Sequence, residues 1–224
     1  MKTEVINDFN DFNKIIRNHW DGHYLYRGED SDKYQLRSLY GRDKIKSIKN
    51  TESVERSYFE EFKRTAVPYL EYRLENDWDW MAVAQHHGLH TRLLDWTMNP
   101  LVALYFAVKD HFLTRDSDSV LYIFNRNDLE ISNFSSTPFS ITSDHIFMPT
   151  HLSRRISAQD GLFTIHFDPE TIFEPKSLER IIIKKEAKFD LLLTLSIYNI
   201  NEFSLFPGLN GLAHNLTEGY IRLS

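Results

Sequence analysis

Near the start of the chain, Phe9, Phe12, Ile15 and Ile16 fall on one helical face behind Asp8, a residue suited to cap a helix. Asp21-Gly22 breaks this element. Tyr24-Leu25-Tyr26 follows as a short strand that ends at Arg27-Gly28. From Thr51 to about Trp80, Val54, Tyr58, Phe59, Phe62, Ala66, Tyr69 and Leu70 recur at helical spacing. Thr51-Glu-Ser-Val-Glu supplies acceptors and acids for the N-terminus of that helix, and Pro68 is expected to kink or split it. Met81 to Gln85 reads as a short helix stopped by Gly88. Asn99-Pro100 opens another, running to about Phe112; it is apolar almost all round and so is expected to be buried on most faces.

Beyond this helix the pattern turns to strands. Ser119 to Asn125, Gly161 to Phe167 and Arg180 to Lys184 are compact apolar runs, and the Ser/Thr/Asn-rich stretch Ser132 to Ser143 is expected to be a loop. Asp190 to Asn199 predicts a helix, and Glu202 to Leu212 a loop leading into one. Helices first and strands later, with one early strand, predict an α+β fold. We expect one domain over residues 1–224, with a mixed or antiparallel sheet and flanking helices. No internal repeat or low-complexity tract is visible.

Composition narrows the function classes. Of the 224 residues, 42% are apolar, 14% aromatic and 26% charged, which excludes disorder over most of the length. The formal net charge of −6 argues against a broadly basic nucleic-acid platform but leaves room for a local basic cleft. With no cysteine, disulfides, thiolate metal sites and cysteine nucleophiles are excluded together. The opening MKTEVINDFNDFNKII has acids and no continuous apolar stretch, and no window approaches 18 apolar residues. A soluble, cytoplasmic protein without a leader or membrane segment is the expectation.

Three segments carry candidate chemistry. In His23-Tyr-Leu-Tyr-Arg-Gly-Glu-Asp, the strand end places the Arg27 guanidinium at a sheet edge, where its fork suits a phosphate or carboxylate. Gly28 admits a close backbone or ligand. The structural alternative is an internal bridge from Arg27 to Asp95 or another acid. The second segment, QHHGLHTRLLDWTMNPLVALYFA from Gln85, packs ionisable groups against the most apolar helix. Arg92 and Asp95, three apart, can satisfy each other, or the amides at the Pro100 helix start can face an anion. His86, His87 and His90 invite a metal reading. Gly88 breaks helical spacing and no Glu completes H-E-x-x-H, so neutral, hydrogen-bonded histidines are the stronger reading and no metal is assigned. The third segment, Leu152 to Ile165, runs from Arg154 and Arg155 through Gln159 and Gly161 into a strand, a way of placing a polar side chain at a pocket rim. Its alternative is turn chemistry with solvated arginines.

Together Tyr26-Arg27-Gly28, QHHGLHTRLLDWTMNPLVALYFA, RRISAQDGLFTI and Leu205-Phe-Pro-Gly-Leu-Asn-Gly-Leu-Ala resemble the FRG domain, a bacterial and phage-associated family named for a Phe/Tyr-Arg-Gly motif. His90 stands where proline is usual, and Gly208 and Asn210 replace acids common near the C-terminus. A weaker resemblance is to ADP-ribosyltransferase-like folds. They open with a strand ending in Tyr-Arg-Gly and later carry a Ser-Thr strand leading into an Ala-x-x-Phe-Ala helix, similar to Asp95 through Ala107 here. Their third element is a Glu or Gln on a late strand, for which Gln159 is the candidate.

This second resemblance implies Arg27, Asp95 and Gln159 as catalytic residues. It implies Tyr26, Gly28, Arg92, Thr97, Asn99 and Arg155 around a dinucleotide. NAD would be a co-substrate with no permanently bound cofactor, and the acceptor would be macromolecular. The implied activity is that of an ADP-ribosyltransferase or NAD glycohydrolase, in the setting of a toxin or phage-defence effector. Gln159 carries no charge, so stabilising a cation-like ribose centre would fall to Asp95, or else Glu29. Tyr26, Trp96, Tyr105 and Phe106 are candidate stacking rings. The competing reading is a non-catalytic module that binds a nucleotide, or nucleic acid along Arg27, Arg37, Arg42, Arg92, Arg154 and Arg155. A metal-dependent hydrolase using His86, His87, His90 and Asp95 is the weakest reading.

Overall fold

A computed structural model describes residues 1–42, 51–70, 73–110, 116–134, 136–150 and 154–223. Along the chain run β1 (Lys2–Ile6), α1 (Phe9–Ile16), β2 (Tyr24–Glu29), α2 (Leu39–Arg42), α3 (Thr51–Ala66), α4 (Asp77–His86), β3 (Leu93–Thr97), α5 (Pro100–Val108), β4 (Ser119–Asn125), β5 (Glu130–Ile131), β6 (His145–Phe147), α6 (Arg154–Ala158), β7 (Gly161–Ile165), β8 (Glu179–Ile183), α7 (Lys188–Ile197), α8 (Glu202–Leu205) and α9 (Leu209–Leu223). Among the described residues the strands form one mixed, largely antiparallel eight-stranded sheet in the order β1-β8-β4-β2-β3-β7-β6-β5, with parallel pairs at its two ends. The expected α+β class with a mixed sheet and flanking helices is the one observed.

The two faces of the sheet explain the apolar runs. Along β4, Leu121 and Ile123 enter a core with Tyr26, α5 and α7, while Val120, Tyr122 and Phe124 enter a second core with Leu25, Leu94, Trp96 and Phe173. A strand covered on both faces reads as continuous apolar sequence. A third cluster, with Phe59, Trp78, Met81, Leu93, Phe147 and Phe163, seats α3 and α4 on the β3-β7-β6 side.

The sheet is nearly divided in its middle. β2 pairs with β4 at all six of its positions and β3 with β7 at all five, yet β2 and β3 meet only at Tyr26 and Thr97. The antiparallel pairs that would continue this register, Arg27 with Trp96 and Gly28 with Asp95, are not made. Two four-stranded halves therefore diverge from one hinge pair. On one face α5 lies directly on β2: a Cβ at Gly28 would stand 1.9 Å from the Ala103 carbonyl oxygen and 2.6 Å from the Ala107 nitrogen. Glycine at 28 is thus fixed by a backbone, the first of the two close approaches expected of it.

Local signals behave as the sequence indicates at several ends. Asp8 caps α1 by accepting from the Asp11 amide at 2.8 Å, and α3 stops at Ala66 before a turn containing Pro68. Several boundaries differ, among them the end of α5, which stops at Val108 and not near Phe112. β2 does not end at Arg27-Gly28 but continues to Glu29, because β4 pairs it throughout. The helix expected over Met81 to Gln85 begins at Asp77, where Asn76 caps it through the Asp79 amide at 2.9 Å. Phe112 and the side chains of Thr51 and Glu52 lie outside the described residues.

Candidate functional site

A cleft of about 460 Å³ occupies the division between β2 and β3. β2 supplies Tyr26 to Glu29, β3 supplies Asp95, Trp96 and Thr97, and α5 closes one side with Val102, Ala103 and Phe106. The end of α4 adds Gln85 and His86, and α6 with the turn after it adds Arg155 and Gln159. Of the residues singled out in the sequence, Arg27, Asp95, Gln159, Tyr26, Gly28, Thr97 and Arg155 therefore share one hollow. Arg92 and Asn99 do not.

Arg27 and Glu29 are two apart on β2 and so project from the same face. Glu29 Oε1 accepts from Arg27 Nε at 2.9 Å and from Arg42 Nη2 at 2.6 Å. Burial opposes the Arg27 charge, but Glu29 and then Asp95 outweigh it and raise its pKa. Burial likewise opposes ionisation of Glu29, and Arg27 with Arg42 outweighs it, lowering that pKa. Arg27 Nη1 also donates to the Asp95 backbone oxygen at 2.7 Å, filling a carbonyl left without a ladder partner by the division. The expected bridge from Arg27 to an acid thus exists, but its principal acid is Glu29; the Asp95 carboxylate stands 3.6 Å away. This engagement removes Glu29 as the alternative charge for a ribose centre.

Asp95 is more open, with 57% of its side chain exposed. Gln85 Nε2 donates to its Oδ2 at 3.1 Å, and Thr91 Oγ1 donates to Gln85 Oε1 at 2.7 Å. The guanidinium of Arg155 stacks over the Phe206 ring, 4.5 Å from its centroid, and among the described residues it has no carboxylate within ion-pair distance. Burial lowers its pKa, with Asp95 and Glu202 opposing. His86 is pushed down to about 4, first by burial and then by Arg155 and His87, so its ring is neutral near pH 7. A neutral imidazole, a cation with no carboxylate at ion-pair distance among the described residues, and a half-held carboxylate thus face one opening.

The remaining residues have structural duties. Thr97 Oγ1 donates to the Gln159 backbone oxygen at 2.6 Å, which fastens the end of β3 to the turn before β7. Gln159 itself donates from Nε2 to the Leu205 carbonyl at 3.0 Å. Arg92 is 3% exposed and pairs with Glu55, not Asp95, at 2.7 Å, with a further bond from Nε at 2.9 Å. Asn99 caps α5: its side chain accepts from the Leu101 amide at 3.0 Å, and its carbonyl accepts from the Val102 and Ala103 amides. The amides at this helix start are therefore used internally and do not face an anion. Among the stacking candidates, Tyr26, Trp96 and Tyr105 are core residues. Burial pushes the Tyr26 hydroxyl up to about 12, and Tyr105 donates to Glu202 at 2.6 Å. Phe106, only partly buried, is the ring left to face a ligand. Among the described residues no three His, Asp or Glu side chains converge on a metal-sized site.

Sequence reasoning gave Gln85 no role, although it opens the motif and stands ten residues before Asp95. Glu55, 37 residues before its partner Arg92, reads in the sequence only as an acid for the start of α3, and nothing near it signals the pairing. Leu152 and Ser153 lie outside the described residues.

The matching family model is the FRG domain, over residues 22–116. That span holds β2, β3, α4 and α5, and with them Arg27, Gln85, His86 and Asp95. No curated protein matches the chain, and no solved structure does.

Proposed function

From the premise that residues 22–116 of this chain match the FRG domain model, we propose that the cleft binds NAD and breaks the nicotinamide–ribose bond. The protein would then act as an ADP-ribosyltransferase or an NAD glycohydrolase, in the setting of a toxin or phage-defence effector. The observation that carries this reading is the presence, in one cleft, of the half-exposed Asp95 carboxylate and of the Arg155 guanidinium, which among the described residues has no carboxylate at ion-pair distance. The cleft volume lies in the range of small-molecule sites, about 300–1,000 Å³.

In this reading Arg155 takes the phosphates and Phe106 offers a ring to a base. Asp95 faces the ribose carbon as positive charge develops there, and nicotinamide leaves as a neutral base with the bonding electrons. A water, or a nucleophile of an acceptor, then forms the new bond to that carbon and releases a proton. A carboxylate already aimed at the developing charge requires no reorganisation when the bond breaks. Arg27 serves as scaffold between the two sheet halves, and Gln159 offers its side-chain oxygen to a ribose hydroxyl.

The test is release of free nicotinamide from NAD by the purified chain. Asp95→Asn is expected to lower kcat by about 100-fold, the scale of one lost electrostatic contact, and Arg155→Ala to raise KM. A folded wild-type protein that releases no nicotinamide overturns the catalytic reading. One observation favours a second reading, a nucleotide-binding module without turnover: Arg27 is held by Glu29 and Gln159 by Leu205. That reading expects ADP-ribose to bind through Arg155 while NAD stays intact.

A further inference from the structure

We infer that Gln85 and Thr91 are positioning residues that hold Asp95 by one oxygen and present the other to the cleft. The donors and acceptors fix the direction of this relay. The Asp95 carboxylate only accepts, so the end of the Gln85 amide that meets its Oδ2 at 3.1 Å is Nε2. Gln85 Oε1 therefore turns toward Thr91, whose hydroxyl donates to it at 2.7 Å. Thr91 Oγ1 in turn accepts from the Leu93 amide at 3.1 Å. Among the described residues Asp95 Oδ1 has no hydrogen-bond partner, and the side chain is 57% exposed.

Thr91 is 1% exposed and sits two residues before β3, so the relay is anchored in the core and ends at the cleft. The three residues come from α4, the loop before β3, and β3 itself; the relay thus ties the helix end to the strand that carries the acid. Arg27 from β2, 3.6 Å from Oδ2, adds charge on the same held oxygen. A carboxylate fixed at one oxygen keeps a defined rotamer while its second oxygen remains open to a ligand hydroxyl or to a positive centre. The inference rests on the proposed cleft chemistry for its consequence but not for its geometry.

Two readouts separate the relay from the NAD reading. The first is the side-chain amide signal of Gln85 in proton–nitrogen NMR spectra of the full chain without ligand. In the wild type its two protons are expected to differ, with the one bonded to Asp95 shifted downfield. Asp95→Ala and Thr91→Val are each expected to bring both toward the values of a solvated glutamine, and Thr91→Ser to leave them as in the wild type. Wild-type signals already at solvated values, or signals unmoved in both Asp95→Ala and Thr91→Val, overturn the relay.

The second readout is NAD turnover. Thr91→Val is expected to lower kcat about tenfold with KM within about twofold, the pattern of lost orientation, and Thr91→Ser to restore it. Should the wild type release no nicotinamide, the NAD reading falls while the amide signals still decide the relay. Turnover in Thr91→Val equal to that of the wild type counts against the relay.

Discussion

The buried pair of Arg92 and Glu55 gives the sharpest test of how the strand bearing Asp95 is held. Glu55 accepts from the Arg92 amide at 2.9 Å through Oε1, and from Nε and Nη2 at 2.9 and 2.7 Å through Oε2. The two side chains are 4% and 1% exposed, and Phe139 lies under the guanidinium at 5.0 Å. Glu55→Ala removes three acceptor contacts and leaves a guanidinium without its buried counter-charge. Breaking such a pair from one side costs about 3–5 kcal/mol. In a chain of this size each kcal/mol moves the melting temperature by about 2–4 °C, so a fall of roughly 6–20 °C is expected.

Thermal melts followed by far-ultraviolet circular dichroism measure this directly. Glu61→Ala, which breaks the exposed pair of Glu61 with Arg64, should melt with the wild type. The double change Glu55→Leu with Arg92→Met should recover most of the loss, because no unpaired charge remains. A Glu55→Ala protein that melts within about 2 °C of the wild type refutes the reasoning, since even the low end of the cost exceeds that shift.

Three further outcomes are expected. The His86 ring, whose pKa is lowered to about 4 in the folded chain, should show a proton NMR titration midpoint near that value. Because the unfolded chain takes up this proton first, stability should fall as pH drops from about 6.5 toward 4, and less so in His86→Gln. Gly28→Ala should destabilise by about 1–3 kcal/mol or more in urea unfolding, because the new methyl meets α5 backbone atoms that cannot rotate away. Asn99→Ala should cost about 0.5–2 kcal/mol in the same assay through loss of the α5 cap.

Much of the fold was legible where local chemistry acts alone. The Asp8 cap, the Pro68 stop and the strand β4 follow from patterns within a few residues. β3 was harder to read, because Asp95 interrupts Leu-Leu-x-Trp and because the segment lies between dense polar motif residues and an apolar helix. β1 is an edge strand, paired on one side only and carrying Lys2 and Glu4, so its alternation is weak. The division between β2 and β3 has no sequence signature, since it is the absence of pairs between segments about 70 residues apart.

At the site, the convergence of Arg27, Asp95 and Gln159 on one hollow was anticipated from motif order, while their partners were not. Arg27 and Glu29 share one face only because β2 runs on to Glu29, past the strand end the sequence predicts, and that extension accounts for the bridge that forms. The partner of Arg92 depended on the docking of α3, which no pattern near Arg92 encodes. Gly28 and Asn99 illustrate a general confusion: residues that allow close packing or cap a helix look, in sequence, like residues that receive a ligand.

The central claim is that the division of the sheet is a nucleotide site, and the most direct measurement is the position of ADP-ribose bound in a crystal of the full chain. Its phosphates are expected beside Arg155 and a ribose hydroxyl on the free oxygen of Asp95. ADP-ribose seated outside the cleft, or none bound at millimolar concentration, would contradict it.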